Sequence, residues 1–391
     1  MIVILFTYIL LRLYRKRLFI KEGIDGDSIN KKDPSVNVRS LAAAYLNLPL
    51  CQYIIKSSYN SAIDDKKTVS TDMLKYVLSR GCRFIDFEVF YPDGKPMVSY
   101  SVDPNFQYLE TTNQVLLDTL LSTAIANGFN QNSPNSQDPL FIQLRIKSQN
   151  NDIYKAVAAS VQATLSSKLY KDKITPTTKL SDIMGKVVLV IDRTIKYTYT
   201  DYTVCQGTTD LKAQTCYDLS KLLHMESGSD YMPTSDNRSL TSREITPPSI
   251  NKNNLNTDVT RMQVVTPDGG SNPNLNSGIL IKDFGVQVIM FPFYIKNEAL
   301  NTYEEIFNDN LYGIVPVATV LIYLKNDPRG LLKALKPPDA PVLGINMNSL
   351  NSLFSDNINA IIIGSVLGGV TVMLIIGVIY SVRKPKPVPG A

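Results

Sequence analysis

Two carboxylates, Asp86 and Glu88, stand two residues apart in the run "RFIDFEVF". In a strand that spacing puts both on one face, where a single cation or basic side chain can reach them. A basic residue of the right kind, Arg145, ends a similar apolar run, "LFIQLRIK". A third stretch, "YIIKSSYNSAI", carries an apolar strand into Ser57, Ser58, Tyr59 and Asn60. Imidazole is scarce. His224 is the single histidine, so a mechanism that needs two, one as acid and one as base, is excluded within one chain. Lying at the end of "DLSKLLHM", it reads as a helix C-terminal residue favoured by the dipole. The four cysteines include no CxxC pair, which argues against a cysteine-based zinc site. Cys205 and Cys216 lie in a polar stretch and could close a small loop in an oxidising space. Cys51 and Cys82 sit in apolar contexts, as buried thiols do.

The elements that must position these side chains are short β-rich runs alternating with helical ones between about 45 and 325. "QYIIKSS", "RFIDFEVF", "LFIQLRIK", "KVVLVIDR", "MQVVT", "VQVIMFPF" and "TVLIYL" read as strands. "STDMLKYVLSRG", "TNQVLLDTLLSTAIANGF" and "IYKAVAASVQATLSSKLY" read as amphipathic helices, the first two with glycine stops. Such an alternation predicts an α/β fold of the (β/α) barrel type. Residues 226–258, dense in Ser, Asn, Thr, Asp and Pro, are expected to form a long exposed loop between barrel units. Residues 21–44 read as a polar linker. Of 391 residues, 44% are hydrophobic and 19% charged, enough for one large domain or two ordinary ones. The net charge of +5 is not gathered into the basic blocks that nucleic-acid binding favours.

"AIIIGSVLGGVTVMLIIGVIYSV", residues 360–382, is an uncharged apolar run of 23 residues. As a helix it would measure roughly 35 Å, enough for a bilayer core. Arg383, Lys384 and Lys386 follow it. By the positive-inside rule the tail 383–391 is cytoplasmic and the large domain lies across the membrane from it. Residues 326–357 read as a stalk, and Gly364 with Gly368 forms a small-residue pair that could support self-association. The first 20 residues are apolar for 11 and then basic. They could be an uncleaved signal-anchor, an interfacial helix or a strand-like arm. Asn237-Arg238-Ser239 is an N-glycosylation triplet, meaningful only on the lumenal or extracellular side.

In order and spacing, "YIIKSSYNSAI", "GCRFIDFEVFYPDGKPMVSY" and "PLFIQLRIK" resemble the X region of phosphoinositide-specific phospholipase C. That family shows S-H-N-T after its first barrel strand, then G-C-R-x-(V/L)-E-L-D and G-x-P-x-(I/V)-x-H-G. "LSDIMGKVVLVIDR" resembles its next strand, and "GVQVIMFPFY" more loosely a late one. The resemblance implies a barrel and phosphodiester cleavage in which the inositol 2-hydroxyl attacks phosphate. One family histidine stabilises the cyclising phosphate and a second protonates the departing diacylglycerol. Calcium, held by Asn, Glu, Asp and a further Glu, acidifies the hydroxyl.

Carried over, the two histidines fall on Tyr59 and Tyr100. The calcium positions fall on Asn60, Asp86 and Glu88, and the final glutamate on Arg145. Arg261 falls near an arginine that contacts headgroup phosphate; the other reading is an exposed structural arginine. A phenol titrates near pH ~10 and cannot cycle protons as imidazole does. Losing two such groups removes factors of roughly 10² to 10⁴ each. Arg145 opposes calcium by repulsion and is expected to pair with Asp86 and Glu88 in the metal's place, so no cofactor is expected. The alternative for Asp86 and Glu88 is a solvated or salt-bridged strand end, and for the tyrosines simple packing at the barrel mouth. Two functions follow. One is a membrane-anchored phospholipase-C-like pseudoenzyme, a binding or scaffold module for an inositol lipid headgroup or a protein, with a virion role conceivable from similar viral proteins. The other is an active phosphoric diester hydrolase using non-standard acid–base groups.

Overall fold

The computed structural model describes residues 33–326, apart from 34, 132, 205–215, 246, 251–258 and 269–275. The first strand, β1 (Tyr53–Ser58), has all six residues buried. Helix α1 (Thr71–Ser79) begins where the Ser70 hydroxyl accepts from the Asp72 and Met73 amides, and it leads into β2 (Phe84–Phe90), again wholly buried. A hairpin of β3 (Met97–Ser99) and β4 (Val115–Leu116) precedes α2 (Leu117–Gly128). Next come β5 (Leu140–Ile146), α3 (Ile153–Leu165) and β6 (Val187–Asp192). The short elements α4 (Leu219–Leu222), β7 (Met225–Ser227), β8 (Thr234–Asp236) and α5 (Asn237–Thr241) follow. The chain continues through β9 (Val264–Thr266), α6 (Ser277–Phe284), β10 (Val288–Phe291) and α7 (Glu298–Asn310), and then β11 (Ile314–Pro316) and α8 (Val317–Asn326).

Continuous burial along β1, β2, β5 and β6 is what a parallel sheet covered on both faces requires. The sheet runs β7-β6-β5-β2-β1-β10-β9-β8, and every neighbour on that path is parallel. It is a nearly closed eight-stranded barrel. β11 is added antiparallel to β1, and β3 antiparallel to β2. Register fixes what faces inward: Phe84, Asp86 and Glu88 of β2 stand opposite Phe141, Gln143 and Arg145 of β5.

Alternation along the strands divides the core in two. Tyr53, Ile55, Phe84, Phe141, Val188, Val190, Val288 and Met290 fill the barrel interior, with Phe84 and Phe141 stacked at 5.9 Å. Their neighbours Ile54, Ile85, Leu144, Leu189 and Ile289 face outward against Leu74, Leu121, Val157 and Tyr303 of the helices. The interior is thus apolar at the strand beginnings and polar at their ends. That change of character marks the mouth.

Three expectations are corrected. "TVLIYL", expected as a strand, lies in α8, whose buried Val317, Val320, Leu321 and Leu324 keep helical spacing. A short apolar run satisfies either period, and the strand here is the preceding β11. The stretch 226–258 is not simply a loop, since it contributes β7, β8 and α5. The linker 21–44 contains Val38 and Leu41, both buried, and the Arg39 amide donates to the Leu311 carbonyl at 2.9 Å. The N-terminal segment 1–20, the stalk from 327 and the apolar run 360–382 with Gly364 and Gly368 lie outside the described residues. Among the described residues no helix is long and apolar enough to cross a membrane.

Candidate active site

In a parallel barrel all strand C-termini lie at one end, and the loops leaving them line a common mouth. β1 delivers Tyr59 and Asn60 there, β2 delivers Asp86 and Glu88, and β5 delivers Gln143 and Arg145. Asn60 adopts a left-handed backbone with φ 45°, a conformation asparagine tolerates better than most residues. The turn is fastened to β2. The Asn60 amide donates to Asp86 Oδ2 at 3.0 Å, and the Asp86 amide donates to Ser61 Oγ at 2.9 Å.

Arg145 is the centre of the site. Its Nε donates to Asp86 Oδ1 at 2.9 Å and Oδ2 at 3.1 Å. Nη2 reaches Asp86 Oδ2 and Asn60 Oδ1, both at 2.6 Å. Nη1 reaches Glu88 Oε1 at 2.6 Å and the Tyr59 hydroxyl at 3.1 Å. The guanidinium carbon also lies 4.3 Å from the centroid of the Tyr59 ring, in cation–π range. Five N–H donors thus meet five acceptor atoms, which is the full capacity of the group. The other Glu88 oxygen accepts from Lys147 Nζ at 2.8 Å and from the Ser101 amide at 3.0 Å. Lys147 also donates to the Ser101 carbonyl at 2.7 Å.

These contacts set the electrostatics. Burial works against the Arg145 charge, but Asp86, Tyr59 and Glu88 together hold its pKa well above the ordinary arginine value. Burial likewise lowers the Lys147 pKa, opposed by Glu88. Burial pushes the phenols of Tyr59, Tyr100 and Tyr294 above the usual tyrosine value, Arg145 partly countering the rise at Tyr59. All three phenols are therefore neutral at physiological pH. Asp192, at the end of β6, is raised by burial against hydrogen bonds from Thr194. The cluster is balanced within itself, two carboxyl groups against two basic side chains.

The residues do not fit a calcium ion. A hard dication needs several free oxygen ligands. Here both Asp86 oxygens, Glu88 Oε1 and Asn60 Oδ1 are hydrogen-bonded to one guanidinium, and Glu88 Oε2 is taken by Lys147. No group of three or more His, Cys, Asp or Glu placed to hold a metal occurs among the described residues. Asn60 Nδ2, Gln143 Oε1 and Ser58 Oγ are buried without a hydrogen-bond partner, so unused polar capacity remains beside Arg145.

Tyr59, Asn60, Asp86, Glu88 and Arg145 are brought together, and Tyr100 is electrostatically coupled to Tyr59 and Glu88 beside them. Arg261 is not. It is exposed and precedes β9, and strand beginnings lie at the end of the barrel away from the mouth. His224 precedes β7, at that same far end. It does not act as a helix-terminal cation: its Nδ1 accepts from the Leu189 amide at 2.8 Å and its Nε2 faces the Tyr170 carbonyl at 2.7 Å. Those two backbone partners call for a neutral ring protonated at Nε2. Lys147, Ser101, Gln143 and Tyr294 escaped the sequence reading. Only Gln143 and Lys147 carried a signal, alternating with Arg145 along one strand.

The nearly closed parallel barrel matches the barrel fold of solved phospholipase C structures. Residues 46–193 match the family model "Phosphatidylinositol-specific phospholipase C, X domain". Among solved structures it is similar to PLC21 of L. pealei, with 14% identity, a TM-score of 0.50, and 69% of this chain and 37% of that one covered. It is also similar to the calcium-dependent phosphoinositol-specific phospholipase C of a Pseudomonas species (12% identity, TM-score 0.39, coverage 73% and 100%). The phosphatidylinositol-specific phospholipase C of Listeria monocytogenes gives 12% identity, a TM-score of 0.39 and coverage of 70% and 99%. At such identities the likeness to the L. pealei protein is one of fold, and the chain spans less than two fifths of that protein's length. A search of the curated proteins finds no match.

Proposed function

We propose that the protein is a membrane-anchored phospholipase-C-like pseudoenzyme whose barrel serves as a binding or scaffold module. The observation that carries this reading is Arg145, which takes up the oxygens of Asn60, Asp86 and Glu88 that a family calcium ion would need. A second observation supports it. The one imidazole of the chain, His224, is tied to backbone at the opposite end of the barrel, while the mouth offers neutral phenols. The mouth therefore holds no imidazole to serve as general acid or general base.

The anchor is the apolar run 360–382, and its basic flank orients the barrel away from the cytoplasm. The disulfide-bonded state of Cys216 is in keeping with an oxidising compartment, whereas Cys51 and Cys82 are free and buried. The other half of the expected pair, Cys205, lies outside the described residues. An inositol lipid headgroup remains the proposed ligand class, supported by the match of residues 46–193 to the phospholipase C X domain.

The test is hydrolysis of phosphatidylinositol in mixed micelles by the full chain, with and without calcium. No turnover above the uncatalysed background is expected. Turnover abolished by Arg145→Met or Asp86→Asn would replace this reading with a phosphodiesterase using non-standard acid–base groups.

A further inference from the structure

We propose that Asn237 carries an N-linked glycan at the rim of the barrel mouth. Asn237-Arg238-Ser239 is the one Asn-X-Ser/Thr triplet, X not proline, in the 391 residues. It falls directly after β8, as the first residue of α5, so it stands at the same end of the barrel as Arg145. Its side chain is partly exposed and makes no hydrogen bond among the described residues. Cys216 supplies the independent observation: a disulfide belongs to the same oxidising space in which such glycans are added. The site rests on the membrane orientation proposed above.

Local geometry dates the modification. The Ser239 hydroxyl donates to Asp236 Oδ2 at 2.8 Å and the Ser239 amide to Asp236 Oδ1 at 2.7 Å, closing the α5 cap. A hydroxyl held in that cap is not free for recognition of the triplet, so transfer precedes folding of the turn. In the transfer, Asn237 Nδ2 forms a bond to the anomeric carbon of a lipid-diphosphate-linked oligosaccharide. The anomeric C–O bond breaks, the lipid diphosphate leaves with the electron pair, and one amide proton passes to base. The product is a bulky polar group beside β8 and β9, which holds that sector of the mouth away from any apposed surface.

The full chain, expressed in cultured eukaryotic cells, is digested with an endoglycosidase and followed by gel mobility. Digestion is expected to remove one glycan's worth of mass. Asn237→Gln and Ser239→Ala are expected to lose the shift, and Ser239→Thr, which keeps the acceptor, to retain it. A reporter variant, Lys196→Asn, makes positions 196–198 a second triplet on a loop where Tyr197 is 74% exposed. A glycan on the reporter but none on Asn237 overturns this site and leaves the orientation standing. No glycan on either overturns both. A shift that survives Asn237→Gln also overturns the assignment.

Discussion

Taking away the Arg145 side chain would leave two buried carboxyl groups, those of Asp86 and Glu88, without their principal partner. Breaking a buried pair of this kind costs roughly 3–5 kcal/mol. Arg145→Met should therefore lower the urea midpoint by a corresponding amount, with little change in slope. Arg145→Lys should not rescue it, since an ammonium cannot reproduce a planar fork that meets five acceptors. A midpoint within experimental error of the natural protein would mean that the pair contributes nothing. His224 gives a second residue-scale expectation. Burial holds its pKa below the ordinary value of 6.5, so the unfolded chain binds the proton more readily. The stabilisation is complete above about 6.5 and is lost as the pH falls through that value toward the folded one. Asp138, raised to about 6 by burial, titrates with the opposite sign. The comparison is therefore between the natural chain and His224→Gln, which should lose less stability than the natural chain on going from pH 8 to pH 6.

Between β2 and the helices before and after it, the "GCR" stretch works structurally. Gly81 has φ 82°, and a Cβ there would meet the Val38 side chain at 2.9 Å. Arg83, fully buried, donates to the Gly128 carbonyl at 2.8 Å and to Asn135 Oδ1 at 2.6 Å, pinning the chain between α2 and β5. Gly81→Ala should destabilise by about 1–3 kcal/mol through conformation and crowding together. Adding Val38→Ala should recover only the crowding part. Full recovery in the double variant, seen in thermal melts, would show that the left-handed backbone is not costly. Legibility in the sequence follows from how each element is buried. β1, β2, β5 and β6 were readable because both faces are covered and their apolar runs are long. β7, β8 and β11, three residues each, lack any period to read. Asn60, Asp86, Glu88 and Arg145 were legible because they end strands that were themselves legible. Ser101 and Tyr294 reach the mouth from loops, where spacing carries no information about proximity.

At the scale of the molecule, one buried cluster ties the beginning of the barrel to its end. Lys56 of β1 donates to Glu304 of α7 at 2.9 Å, and Arg80, just after α1, donates to both Glu304 oxygens at 2.8 and 2.6 Å. Burial opposes the Glu304 charge, but Lys56 and Arg80 hold its pKa below the usual 4.5. That contribution is present above about 4.5 and is lost as the pH falls further. Glu304→Ala should cost roughly 3–5 kcal/mol and shift one cooperative transition. A separate early transition, confined to the C-terminal helices, would mean that the barrel does not close as a unit. The family match ends at residue 193, yet the cluster joins residues on both sides of that limit, so the two halves share one core.

The proposed loss of phospholipase activity turns on whether a guanidinium has taken the seat of the metal. Calorimetric titration of calcium into the full chain, at millimolar concentrations and neutral pH, tests this most directly. No saturable heat is expected for the natural protein. Stoichiometric binding that disappears with Asp86→Asn would contradict the replacement of the metal by Arg145.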